Sequence, residues 1–150
     1  MIDSPARTRL AEAIRALAAG LITNDQFESR VPVNPHDPAL REVFFSGPWQ
    51  LYSDLRTHKL IGPYRLPDLA RPEIARWILF LKTDRPYQWP VESALEQMFR
   101  VALAFLTFGL ATRLWRRSVA RVGDLSVWPF LTRPEFQAAL AQHPYLRGAA

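Results

Sequence analysis

The chain has 150 residues, of which 49% are apolar, so it is long enough and apolar enough to bury the core of one compact domain. It contains no cysteine, which excludes disulfides, thiol nucleophiles and zinc sites built on Cys ligands. The net charge of +5 favours loose attraction to polyanions. Of the 19 basic residues 17 are Arg, and the chain is rich in Ala and Pro. This preference for Arg over Lys is typical of a GC-rich bacterial genome, so the positive charge identifies no partner.

The first predicted element is a helix that starts at Ser4, with Ser4 as N-cap and Pro5 at the first helical position. One apolar stripe follows at helical spacing: Leu10, Ile14 and Leu17, with Leu21 as a further position. Gly20 is expected to end this helix in the left-handed conformation, because glycine has no Cβ to oppose it. The charged residues of this segment interrupt any signal-peptide core, which predicts a cytoplasmic protein.

A second, short helix is predicted after Thr23, which stands three residues before Gln26 in capping-box spacing. Residues 17–31 resemble the short bacterial module called SHOCT, on the residues Leu17, Gly20, Leu21, Ile22, Thr23, Phe27 and Arg30. The resemblance implies oligomerisation or attachment rather than catalysis, although that module usually closes a protein and here it opens one. With this resemblance, residues 1–31 form a SHOCT-like helical hairpin at the start of the domain. The alternative is a capped helical hairpin that is made from common parts.

Residues 38–60 have helical spacing and predict two short helices or one kinked helix, because Pro48 in the break at 46–49 cannot donate a backbone hydrogen bond. A proline-rich loop is expected at 61–72. Residues 71–84 then predict a helix with one apolar stripe: Ile74, Trp77, Ile78 and Leu81. Residues 85–90 predict a rigid aromatic loop.

Two stretches within residues 52–90, "YSDLRTHKL" and "WILFLKTDRPYQWP", resemble a family of uncharacterised bacterial proteins. This resemblance implies bacterial kinship and carries no activity with it.

The longest predicted helix covers residues 91–120 and is expected to be the central, buried element of the fold. Val101–Thr112 contains no charged residue, which indicates burial on all sides. These twelve residues span only about 18 Å against roughly 30 Å of hydrocarbon, so the run favours a bundle core over a membrane span. After a turn at 122–131, Thr132 and Glu135 predict the start of a last helix. The fold class is therefore all-α: one domain, residues 1–150, of five to seven helices.

The sequence offers little catalytic chemistry. Asp54 and His58 are four residues apart on a predicted helix, where they could act together as a base and its orienter or as metal ligands, or form a simple surface pair. Glu92 and Glu96 share a face, but the Glu-x-x-His motif of di-metal bundles is absent. No phosphate-binding or nucleophile motif is present, so neither metal nor cofactor is predicted.

The prediction is therefore a non-catalytic protein-interaction module, an adaptor, regulator or immunity-like binder, whose partner is another protein or a second copy. The aromatic candidates for its interface lie at or beside loops: Trp49, Tyr52, Tyr64, Tyr87 and Trp89. A basic cluster supports the alternative of a nucleic acid or an anionic membrane surface: Arg113, Trp115, Arg116, Arg117 and Arg121. An enzyme that uses Asp54 and His58 is the second alternative.

Overall fold

The computed structural model describes residues 1–32, 36–90 and 122–143, and the fold is all-α, as the sequence predicts. Five α-helices lie in these ranges: α1 Ser4–Ala18, α2 Asn24–Glu28, α3 Pro38–Ser46, α4 Arg71–Leu81 and α5 Arg133–Gln142. No β-strand occurs in the same ranges, where the only extended pairing is an isolated bridge between Thr23 and Lys59. The predicted central helix at 91–120 lies outside the described residues.

Helix α1 is the helix against which much of the fold packs. It lies against α4 and also contacts α2 and α3, while α5 packs on α4. Leu21, the last position of the predicted α1 stripe, is 68% exposed, because the chain leaves the helix at Gly20. The other predicted positions on α1 and α4 are buried: Leu10, Ile14, Leu17, Ile74, Trp77, Ile78 and Leu81. The 3.6-residue period therefore predicted the buried faces of both helices correctly.

The start of α1 differs from the prediction by one residue. Asp3, not Ser4, is the N-cap, and its carboxylate accepts a hydrogen bond from the backbone N–H of Ala6 at 2.9 Å. Pro5 consequently occupies the second helical position. The hydroxyl of Ser4 donates instead to the carboxylate of Asp84 at 2.6 Å, and the backbone N–H of Asp3 donates to the carboxylate of Asp37 at 3.0 Å.

The turn between α1 and α2 follows the sequence prediction. Gly20 has a φ of 67°, and the N–H of Leu21 donates to the carbonyl of Ala16 at 2.9 Å, which is the hydrogen bond of a Schellman cap. Thr23 and Gln26 form the predicted reciprocal capping box at the start of α2. The helical hairpin is thus present as a structural unit.

The segment 38–60 is less helical than predicted. Helix α3 ends at Ser46, and a short 3-10 helix, Pro48–Leu51, follows the break at Gly47. Residues 52–60 form turns and irregular structure instead of a helix. Further 3-10 turns, Gly62–Tyr64 and Asp68–Ala70, occupy the predicted loop before α4.

The C-terminal described region matches its prediction. The turn at 122–131 contains the 3-10 helix Leu125–Val127, and α5 starts after Thr132 as N-cap. The carboxylate of Glu135 accepts hydrogen bonds from the backbone N–H groups of Leu131 and Thr132, both at 3.2 Å. This contact satisfies two donors at the start of the helix.

Candidate protein-interaction surface

Asp54 and His58 do not form the predicted pair, because neither lies on a helix. Asp54 is exposed in a turn, whereas the backbone N–H of His58 donates to the side chain of Asn24 at 2.9 Å. The His58 ring stacks on Tyr64 with 4.3 Å between centroids, and its Nδ1 lies 2.8 Å from the carbonyl of Arg56. The described ranges bring no group of three or more His, Asp or Glu together that could hold a metal ion.

Asn24 fixes the loop that contains these residues. Its buried amide donates from Nδ2 to the carbonyls of Ser53 at 3.3 Å and Arg56 at 3.1 Å, and its Oδ1 accepts from the N–H of His58. The backbone N–H of Asn24 donates in turn to the carbonyl of His58 at 3.1 Å. Sequence reasoning missed this residue, since its partners lie about thirty positions away and no local pattern marks them.

A buried ion pair fixes the opposite end of α1. The guanidinium of Arg7 donates to both carboxylate oxygens of Asp37, at 2.7 and 2.8 Å, and to the carbonyl of Arg85 at 2.6 Å. Burial acts to raise the pKa of Asp37. The hydrogen bonds and charge of Arg7, together with the N–H groups of Asp3 and Ala39, lower that pKa by more than burial raises it, so it lies below its ordinary value.

An aromatic network leads from this core to the surface. The buried rings of Phe27 and Phe44 lie 5.8 Å apart, and Phe44 contacts Phe45 at 4.8 Å and Trp49 at 5.4 Å. Trp49 contacts Tyr52 at 6.0 Å. We call the partly exposed residues Phe45, Trp49 and Tyr52 the aromatic ledge.

The backbone under the aromatic ledge is held in a tight turn. A Cβ on Gly47 would lie 2.8 Å from the carbonyl oxygen of Val43 and 3.0 Å from the Trp77 ring, so only glycine fits between α3 and α4 here. The Phe45 side chain is 50% exposed, and Trp49 and Tyr52 are less exposed than Phe45. Burial, aided by the charge of Glu28, raises the pKa of Tyr52 above its ordinary value, which keeps the phenol neutral.

The other predicted aromatic candidates lie apart from the ledge. Tyr64 is exposed beside His58. Tyr87 is half-buried, and its hydroxyl accepts a hydrogen bond from Trp128 Nε1 at 3.2 Å. Trp89 is only 5% exposed and donates to the carbonyls of Pro129 and Phe130, so it is a core residue and offers little surface to a partner.

A cleft between the aromatic loop and the turn before α5 has a volume of about 60 Å³. It is lined by Phe80, Arg85, Pro86, Gln88, Pro129, Phe130, Leu131 and Glu135. Small-molecule sites usually enclose about 300–1,000 Å³. This cleft is therefore large enough for a few atoms of a side chain rather than for a metabolite.

The predicted basic cluster, with Arg113, Trp115, Arg116, Arg117 and Arg121, lies outside the described residues, as does the apolar run Val101–Thr112. Among the helices that the structure describes, none is both long enough and apolar enough to cross a membrane.

Comparisons with known proteins add no family to this description. No family model, curated protein or solved structure matches the chain. The SHOCT-like character of residues 17–31 therefore stays a prediction.

Proposed function

We propose that this protein is a non-catalytic interaction module of the bacterial cytoplasm, and that it binds a protein partner through the aromatic ledge. The observation that supports the proposal is the contact between Phe45 and Trp49, whose ring centroids lie 5.7 Å apart and whose planes are tilted by 56° at the surface. Half of the Phe45 side chain remains in water. Large aromatic side chains in a fixed position are the usual centres of protein interfaces.

Rigidity is the second argument for the aromatic ledge. Phe45 is on a helix, Trp49 is on the 3-10 helix that follows it, and Gly47 packs tightly between them and Trp77. A surface that is already ordered loses little conformational entropy when it binds. An aromatic side chain also provides a large contact area with only two rotatable bonds.

The charged neighbours suit a protein rather than a nucleic acid. Arg41 lies one helical turn before Phe45, and its guanidinium lies 3.8 Å from the carboxylate of Glu42. The edge of the ledge therefore carries both signs of charge, whereas a nucleic-acid surface is dominated by cations. The partner is expected to present aliphatic or aromatic side chains to the ledge.

Crosslinking from two matched glutamines tests the proposal. Gln50 is exposed beside Trp49, and Gln137 is exposed on α5. A photoreactive amino acid at Gln50 should capture one defined protein in cells, whereas the same group at Gln137 should not. Binding of that protein, once purified, should weaken about 30-fold in Phe45→Ser, which corresponds to the roughly 2 kcal/mol of a hot spot.

Folding of the variant is checked first. Because Phe45 is half exposed, its truncation should cost only about 1 kcal/mol of stability. Equal capture from both glutamine positions, or unchanged binding by Phe45→Ser, would show that the ledge is not the interface.

A further inference from the structure

A second surface, on the loop 53–65, exposes both apolar and cationic side chains. Its apolar members project into water: Leu55 is 91% exposed, Ile61 is 55% exposed, and Leu21 of the neighbouring hairpin turn is 68% exposed, with Tyr64 exposed beside them. Its cations are Arg56, Lys59 and Arg65, all exposed. We call these seven residues the loop surface.

The contacts of the loop place most of these residues side by side. A Cβ on Gly20 would lie 2.4 Å from Ile61 Cγ2, so the backbone next to Leu21 touches Ile61. The N–H of Tyr64 donates to the carbonyl of Ile61 at 3.1 Å. Leu60 is buried between Lys59 and Ile61, which directs these two neighbours outward together.

The charge of the loop is mainly positive. Residues 53–65 contain three cations and one carboxylate, that of Asp54, and the carboxylate of Asp25 on α2 accepts a hydrogen bond from Thr57. No salt bridge within the described part of the chain engages Arg56 or Lys59. The nearest acid to Arg65 is Asp68 at 4.0 Å, and Asp68 lies closer to Arg71, at 2.9 Å. The loop surface is therefore complementary to an anionic occupant.

We propose that the loop surface docks on an anionic phospholipid bilayer. Projecting leucine and isoleucine side chains can enter the boundary between headgroups and acyl chains, tyrosine suits the same depth, and Lys and Arg contact the headgroup phosphates. An acidic polymer is a weaker match, because it would engage the cations and leave Leu21, Leu55 and Ile61, each more than half exposed, in water. Base stacking would need more aromatic rings than Tyr64 and His58 supply.

The order of the loop supports docking without refolding. Asn24 binds the loop at Ser53, Arg56 and His58, so the apolar side chains are already presented in a fixed arrangement. Peripheral binding then requires the bilayer to accept the side chains and requires little ordering of the protein. The inference is independent of the aromatic ledge and of the protein partner proposed for it.

Vesicle flotation with the full chain tests the inference. Phosphatidylcholine vesicles with and without phosphatidylglycerol are the probes, at low and at high salt. The wild-type protein should float only with vesicles that contain phosphatidylglycerol, and high salt should weaken the binding. Lys59→Gln should weaken partition about fivefold, because one cation near an anionic leaflet contributes about that factor. Ile61→Asn should weaken it by about tenfold or more.

Matched controls separate local docking from general attraction. Arg9→Gln removes one exposed cation from α1, and Leu125→Ser removes an exposed leucine from the turn before α5. Both variants should float like the wild type, and melting curves should confirm that every variant is folded. Absence of flotation by the wild type would overturn the inference, as would equal losses in Arg9→Gln and Lys59→Gln.

Soluble polyglutamate tests whether the loop surface binds an acidic polymer instead of a bilayer. If polyglutamate displaces the protein from vesicles and Ile61→Asn binds both probes normally, the loop surface is an electrostatic site for acidic polymers, and the lipid inference fails.

Discussion

The ion pair between Arg7 and Asp37 should be the most sensitive polar contact in the described fold. Both side chains are only 1% exposed, and they are joined by two hydrogen bonds from the guanidinium to the carboxylate. Asp37 also accepts from the N–H groups of Asp3 and Ala39, at 3.0 and 3.1 Å. One carboxylate therefore connects the start of α1 to the start of α3, while Arg7 binds the loop after α4 through Arg85.

Truncation of Asp37 to Ala would leave the Arg7 charge buried without its partner. Breaking a buried pair in this way costs about 3–5 kcal/mol, because the remaining charge is desolvated without compensation. The whole domain is expected to be stable by about 5–15 kcal/mol. At about 2–4 °C per kcal/mol for a chain of this size, the melting temperature should fall by about 6–20 °C.

Thermal and urea unfolding of three variants measure this effect: Asp37→Ala, Arg7→Met and the double variant Arg7→Met/Asp37→Leu. The double variant should lose less stability than the sum of the single variants, because it removes both charges together. The exposed pair of Asp68 and Arg71, at 2.9 Å, is the matched control, and Asp68→Ala should leave the midpoint almost unchanged. If Asp37→Ala shifts the midpoint no more than Asp68→Ala does, the reasoning from burial is wrong.

Four further outcomes are expected. Gly20→Ala should destabilise the fold by about 1–2 kcal/mol from its positive φ alone, and the new Cβ should also clash with the Ile61 side chain. Ile61→Ala should relieve the clash but not the cost of the positive φ, and a double-mutant cycle of the two changes measures this difference. Asn24→Ala should increase hydrogen exchange in residues 53–58, because it removes three of their hydrogen bonds. The pKa of Asp37 is lowered despite burial, so the ionised Asp37 carboxylate stabilises the fold above about pH 4, and this stabilisation is lost as pH falls through the folded pKa. The melting temperature should therefore fall less steeply in acid for Asp37→Asn than for the wild type. Burial raises the pKa of Tyr87 to about 12, so the neutral phenol of Tyr87 stabilises the fold below about pH 10, and this stabilisation is lost as pH rises towards 12. An ultraviolet titration of Tyr87→Phe should lack the ionisation near pH 12.

The features that the sequence predicted correctly are those with local causes. Gly20 adopts a positive φ because a helix that ends in a Schellman cap needs a left-handed residue at that position. Thr23 and Gln26 cap α2 through contacts that span three residues, and the stripe of α4 follows from helical periodicity. Each of these rules needs only the neighbouring residues, so one sequence is enough to apply it.

The features that the sequence did not predict depend on contacts across the chain. Residues 52–60 have helical spacing, but Asn24 hydrogen-bonds to the carbonyls of Ser53 and Arg56 and to the N–H of His58, groups that a helix would have used internally. Asp3 replaces Ser4 as N-cap, and the Ser4 hydroxyl donates to the distant Asp84 instead. The candidate site was affected in the same way: the placement of Asp54 and His58 on one helical face depended on a helix that the loop does not form.

The aromatic ledge and the loop surface differ in how they are coupled to the stability of the fold. Trp49 in the ledge contacts Phe44, which belongs to the core together with Phe27, so a change at Trp49 alters packing and recognition at once. A partner that binds the ledge should also raise the melting temperature by mass action, because it binds only the folded state. Ile61 in the loop surface is more than half exposed, so recognition there can be changed with little effect on the core. Changes at Trp49 are therefore coupled to folding, whereas Phe45 in the ledge and Ile61 in the loop surface can be changed to test binding with little effect on the core.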